Sequence, residues 1–98
     1  MTGTIEFHEA ARREFDEALE WYRRRSLKAA HGFVEAMTEA LQDIAADPDR
    51  CPSLESKCRY WPVRRYPFRI IVRVEGEKCT VVAVAHAKRR PNYWSRRL

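Results

Sequence analysis

Apolar positions along this chain change their period near its middle, and that change predicts the order of elements. Ile5 and Phe7 alternate with polar neighbours over Thr4–Phe7, the pattern of a short strand. From about Glu9 to Arg25 the spacing becomes helical: Ala11, Phe15, Ala18, Leu19 and Tyr22 recur every three or four residues on one stripe. Arg13, Asp16, Glu17, Glu20 and Arg24 lie opposite, and Glu14, Asp16, Glu17 and Glu20 are expected on the solvated face rather than in an acid/base cluster. Glu9–Arg13 and Glu20–Arg24 are spaced for i,i+4 ion pairs of about 0.3 kcal/mol each. Ser26 suits the N-cap of a second helix whose stripe is Ala30, Phe33, Val34, Met37, Leu41 and Ile44. That helix should end at Asp47-Pro48, since a residue preceding proline is pushed out of the α region. Trp21 and Tyr22 are expected in the core. His8 is a poor match to the usual capping residues.

After a loop punctuated by Pro48, Pro52 and Ser53, the period falls to two. Tyr60 to Arg65 reads as a strand, with Pro62 arguing for an edge position because proline donates no ladder hydrogen bond. Phe68, Ile70, Val72 and Val74 alternate with Arg69, Ile71, Arg73 and Glu75, giving one apolar and one mostly basic face. Glu75-Gly76-Glu77 marks a hairpin, and Thr80 to Ala87, apolar on both parities, has the pattern of a central strand. The expected class is α+β in the order β-α-α-β-β-β: a helical hairpin packed on a small, twisted, mainly antiparallel four-stranded sheet.

Length and composition narrow the picture. Ninety-eight residues fit a single domain spanning 1–98, and 45% hydrophobic with 34% charged residues is a globular balance. The three glycines never cluster, so a phosphate-binding glycine loop is excluded. No apolar run approaches a membrane span, and the N-terminus has neither the basic start nor the apolar stretch of a secretory signal, so a cytoplasmic location is expected and no membrane contact. Cys51, Cys58 and Cys79 form no paired motif, so free thiols are expected, with no metal and no cofactor. Charge is uneven: residues 1–56 carry seven Lys/Arg against twelve Asp/Glu, net −5, whereas residues 57–98 carry twelve against two, net +10. A field of that kind attracts nucleic acid or an acidic protein segment.

Several stretches together carry a resemblance. They are Ala11, Phe15, Ala18 and Trp21-Tyr22 on the first helix; Pro48 ending the second; the run Arg64-Arg65-Tyr66-Pro67-Phe68-Arg69-Ile70-Ile71-Val72-Arg73-Val74; and Ala83-Val84-Ala85-His86-Ala87-Lys88-Arg89-Arg90-Pro91-Asn92-Tyr93-Trp94, the most specific of them. From about Ile5 to Trp94 the chain resembles the RelE/ParE superfamily of toxins, especially its plasmid-stabilisation branch. The resemblance implies a growth-arresting toxin neutralised by a co-produced antitoxin whose tail wraps it. It implies one of two targets: DNA gyrase for ParE-like members, or mRNA in the ribosome for RelE-like endoribonucleases. The sparse catalytic inventory favours the first, and DNA would then be met only indirectly, through the antitoxin. A nucleic-acid-binding module without toxicity is a further alternative.

Candidate residues follow from chemistry. RNA cleavage through the 2′-hydroxyl needs an acid, a base and cations, roles open to His86, Tyr93 and Arg65 or Arg90 under the ribonuclease alternative. His86 equally suits a strand end where it bonds to a neighbour. Arg64, Arg65, Arg69 and Arg73 form an expected basic strip for antitoxin or target, arginine being favoured for bidentate contacts. Lys88, Arg89 and Arg90 join that set, and with Arg96 and Arg97 they flank Tyr93 and Trp94, basic groups interleaved with aromatics that can grip single-stranded nucleic acid. Trp94 is expected to pack back on the fold. His8 and His31 are expected at the surface.

Overall fold

The computed structural model describes residues 4–98; Met1, Thr2 and Gly3, part of the segment read above for a secretory signal, lie outside the described residues. Strand β1 (Thr4–Phe7) leads directly into helix α1 (Glu9–Arg25), which is followed by α2 (Leu27–Ala46), β2 (Cys58–Val63), β3 (Phe68–Glu75) and β4 (Lys78–His86). Short 3-10 turns at Pro48–Arg50 and Ser95–Arg97 complete the chain. The sheet order is β1-β4-β3-β2, with β1 parallel to β4 and the other pairs antiparallel. The α+β class and the order expected from periodicity are observed. Strand ends shift by two residues at β2, which leaves Arg64 and Arg65 in the turn after it. Pro62 is on the edge strand.

Single residues connect the first elements. His8 closes β1 by donating its amide to the Val81 carbonyl at 2.9 Å, and it caps α1 by accepting the Ala10 amide on Nδ1 at 3.0 Å. The imidazole thus fills the role usually taken by a serine or aspartate oxygen. Ser26 serves both helices: its amide donates to the Tyr22 carbonyl and its Oγ accepts from the Ala29 amide at 3.1 Å. One extended residue between two helices forces them into an antiparallel pair. The exposed ion pairs on α1 are Glu20–Arg24, as expected, and Arg12–Asp16.

Both faces of the sheet are covered. On the near face, Ala11 and Ala18 of α1 and Phe33, Met37, Ala40 and Ile44 of α2 pack on Val63, Ile70, Val72, Val81 and Val84. Phe33 is fully buried, with Phe15, Tyr22, Tyr66 and Phe68 rings 5.2–5.6 Å from its centroid. Gly32 lets the Tyr66 ring lie on α2, where its hydroxyl donates to the Ala29 carbonyl at 2.8 Å. On the far face, Cys58, Ile71, Val82, Ala83 and Ala85 are sealed by Trp94, which is 3% exposed. Arg59 ties the preceding loop down through the carbonyls of Asp49 and Cys51. The three thiols are buried and unpaired, and burial raises the pKa of each. No helix of the described residues is long and apolar enough to cross a membrane.

Besides the Glu9–Arg13 pair, which gives way to Arg12–Asp16, three expectations about burial fail here. Trp21 is 51% exposed, because it lies beside the buried stripe rather than on it. Val34 faces solvent, and Ala40 takes its place in the core. Glu14 is not on the solvated face of α1: its side chain is only 12% exposed.

Candidate functional site

The β3–β4 pairing slips by one residue: Ile71 faces Ala83 and Val72 faces Val81, so Val82 is an extra residue, a β-bulge. β1 ends at the same level, with Phe7 opposite Val81. Beyond that point the edge of β4 has no strand beside it, and an open edge leaves backbone groups in need of partners. Glu14 and Arg97 provide them. Glu14 accepts the Val84 amide at 3.0 Å, while Arg97 donates to the Val82 carbonyl at 3.0 Å and to both Glu14 oxygens at 2.9 and 3.0 Å. The Tyr93 hydroxyl donates to Glu14 at 2.7 Å. An acid from the first helix and two groups from the last turns thereby cap the sheet edge.

This network sets the local electrostatics. Burial alone would raise the Glu14 pKa, but the hydrogen bonds from Arg97, Tyr93 and the Val84 amide, with the Arg97 charge, hold it below the ordinary value. Tyr93 is pushed well above the usual phenol range by burial and by the Glu14 carboxylate. The hydrogen bonds to Glu14 raise Arg97 further. Glu14 was expected on the solvated face, and Arg97 only as one of the basic groups flanking Tyr93 and Trp94. For Glu14 a signal existed: it stands three residues after Ala11 and four before Ala18, on the buried stripe itself.

A concavity of about 440 Å³ opens beside this edge between the ends of β3 and β4 and the following turns. Arg69, His86, Arg89, Arg90, Asn92 and Tyr93 line it. His86 accepts the Lys88 amide on Nδ1 at 3.0 Å and stacks edge-on against Phe68. Arg89 lies 3.8 Å over the Tyr93 ring and Arg69 lies 4.5 Å over Tyr60. Arg90-Pro91-Asn92-Tyr93 is a turn closed by the Tyr93 amide on the Arg90 carbonyl, with Asn92 at φ 59°. The structure therefore brings His86, Tyr93 and Arg90 together, with Arg69 beside them.

It does not bring Arg65 there. Arg64 and Arg65 occupy the β2–β3 turn and line a separate hollow with Gly32, Glu35 and Glu39 of α2; Arg64 is 4.0 Å from Glu39. Arg65 holds φ 71°, a conformation that costs a non-glycine residue energy. Arg73 is half-buried beside Glu75 at 3.5 Å, and its Nε has no hydrogen-bond partner. The four arginines expected as one strip are split between a turn and the far face, because the strand ends before Arg64. No cluster of metal-ligating side chains occurs among the described residues.

The fold has known counterparts. A chromosomal ParDE toxin–antitoxin structure from P. aeruginosa aligns with a TM-score of 0.73 at 17% identity, covering 87% of this chain and 96% of that one. A doubly substituted E. coli RelE toxin in the free state aligns with a TM-score of 0.63 at 18% identity, covering 90% and 86%. Among curated proteins none matches the sequence. The family model described as the ParE toxin of the type II toxin–antitoxin system parDE matches residues 5–91. The chain belongs to that family of ParE toxins.

Proposed function

We propose that this toxin arrests growth by binding DNA gyrase in the cytoplasm, without catalysis, and that its antitoxin neutralises it over the basic second half. Family membership supports the toxin reading. The observation that favours binding over cleavage is the state of Tyr93, whose hydroxyl is engaged by Glu14 and whose proton is held more tightly than in free tyrosine. A group in that state is poorly suited to proton transfer near neutral pH. Arg64, Arg65, Arg69, Arg73, Lys88, Arg89 and Arg90 are the proposed contacts for antitoxin or target, an acidic tail being the complementary partner.

The test is pulse-labelling of DNA and protein synthesis in the minutes after this chain is induced alone, paired with gyrase supercoiling by the purified protein. DNA synthesis falling first, with supercoiling inhibited, is the expected result. Protein synthesis falling first, with gyrase untouched at micromolar toxin, overturns it. Antitoxin is expected to leave an Arg69→Glu variant faster than the parent; an unchanged off-rate moves that contact elsewhere.

One observation favours a second reading: His86, Tyr93 and Arg90 line the same concavity. A RelE-like endoribonuclease would use them as acid, base and cation, and would lose toxicity in His86→Ala and Tyr93→Phe. Full toxicity in both variants removes that mechanism.

A further inference from the structure

Carboxylates and aromatic rings are the two recurring partners of the arginines in this chain. Arg12, Arg24, Arg59, Arg64, Arg73 and Arg97 each have a carboxylate within ion-pair distance. Arg69 and Arg89, which line the concavity at the end of β4, instead lie over aromatic rings, and Arg90 beside them has no carboxylate within ion-pair distance among the described residues. A guanidinium stacked on a ring is fixed in orientation while its N–H edge stays available for a bidentate acceptor. The lining includes no aspartate or glutamate; Glu14 and Glu17 line the adjoining hollow on the other side of His86, Arg89 and Tyr93, and Glu14 is already bound to Arg97. His86 adds to the same donor set: because Nδ1 accepts the Lys88 amide, Nε2 is the nitrogen that carries a proton to donate.

We infer that this concavity is a phosphodiester-binding site, through which the toxin alone holds a nucleic-acid backbone without cutting it. Arg69, Arg89 and Arg90 contact phosphate oxygens, and the His86 Nε2–H is a further donor at the rim. The ligand is a backbone rather than a base because each aromatic ring of the lining is already engaged. Trp94 is buried, Tyr93 lies under Arg89, Phe68 is met by His86, and Tyr66 packs on Tyr22 and Phe33. Contact is therefore indifferent to sequence. It does not proceed to cleavage because the Tyr93 hydroxyl is bound to Glu14, which leaves His86 without a second proton-transfer partner in the site. The inference uses Arg69, Arg89 and Arg90, which are also among the contacts proposed for antitoxin or target, so its test leaves both of those out; it departs from the expectation that DNA is met only through the antitoxin.

The experiment is fluorescence anisotropy of the purified toxin, with neither gyrase nor antitoxin, against labelled twelve-nucleotide single-stranded DNA, the same sequence as RNA, and the duplex. A polyglutamate peptide of equal length is the competitor, and the oligonucleotides are run on a gel afterwards. Binding to at least one oligonucleotide is expected, with a log–log salt slope of about −2 for three cations on a single strand. Arg69→Glu, Arg89→Glu and Arg90→Glu are each expected to weaken it about tenfold and to reduce the slope by about one. Arg23→Glu, the same charge change on the exposed face of α1, is expected to have little effect. Circular dichroism of each variant separates lost binding from lost fold. The oligonucleotide bound most tightly identifies the source of the backbone. No binding to any of the three at 100 µM toxin overturns the inference, as does binding that ignores the three substitutions. Polyglutamate binding more tightly than every oligonucleotide overturns it in favour of a protein partner. Shortened oligonucleotides overturn the non-cleaving site and restore the ribonuclease reading.

Discussion

The two faces of the sheet are closed by different means. Two helices cover the near face, and they bring their own periodic stripes to it, with Phe33 at the centre. A single tryptophan from the last turns seals the far face, helped by Leu54 and by the Tyr93 and Tyr60 rings. The near face rests on many interchangeable contacts. The far face rests on a few residues whose position depends on the C-terminal turns staying docked, and Glu14 with Arg97 keeps them there. A small sheet can thus bury both sides with helices on only one, provided the exposed edge is capped by side chains rather than by another strand.

The largest expected effect compares the faces directly. Phe33→Ala and Trp94→Ala should each cost about 3–5 kcal/mol, by loss of buried area and a residual cavity. Thermal unfolding of both variants checks this, each kcal/mol lowering Tm by about 4–8 °C in a domain of this size. If Trp94→Ala costs as little as a surface substitution, the far face is not part of the cooperative core.

Next comes the edge cap. Glu14→Gln should cost about 2–3 kcal/mol, by weakening charged hydrogen bonds and leaving Arg97 without its counter-charge. The effect depends on pH. The folded Glu14 pKa lies below the unfolded one, so the unfolded state binds more protons, and the stabilisation is present above the ordinary glutamate range and lost as pH falls through the folded value. Denaturant midpoints of parent and variant should therefore converge as pH falls through and below about 4. A constant difference would show that the carboxylate charge is not what holds the tail.

Smaller is the close approach of Tyr66 to α2. A Cβ on Gly32 would stand 2.5 Å from the Tyr66 hydroxyl, so Gly32→Ala should cost about 1 kcal/mol by displacing the Ala29 hydrogen bond. In a Tyr66→Phe background the same change should be neutral or stabilising by up to about 1 kcal/mol, since alanine favours a helix over glycine. A double-mutant cycle by urea unfolding separates the two, and additivity would deny the contact. The smallest effect is expected at Trp21→Ala, about 0.5 kcal/mol, because that ring is half in solvent under Arg25. A loss comparable to Trp94→Ala would return Trp21 to the core.

What the sequence determined by itself was local and periodic. The stripes Ala11–Ala18 and Ala30–Ile44 placed both helices, Ser26 and Pro48 placed their limits, and the doubly apolar run Val81–Ala85 placed the central strand. The motif through Tyr93-Trp94 was enough to suggest the family. The tertiary structure decided what depends on residues far apart in the chain. Glu14 meets Tyr93, Val84 and Arg97 across separations of 70 to 83 positions, and no local pattern encodes a partner that distant. Its place on the buried stripe was visible, but a carboxylate there has meaning only once a guanidinium is known to arrive. The arginines divide for the same reason. Their charge was legible as a sum, whereas the strand end before Arg64, the Glu75 beside Arg73 and the rings beneath Arg69 and Arg89 decide which of them remain available to a ligand.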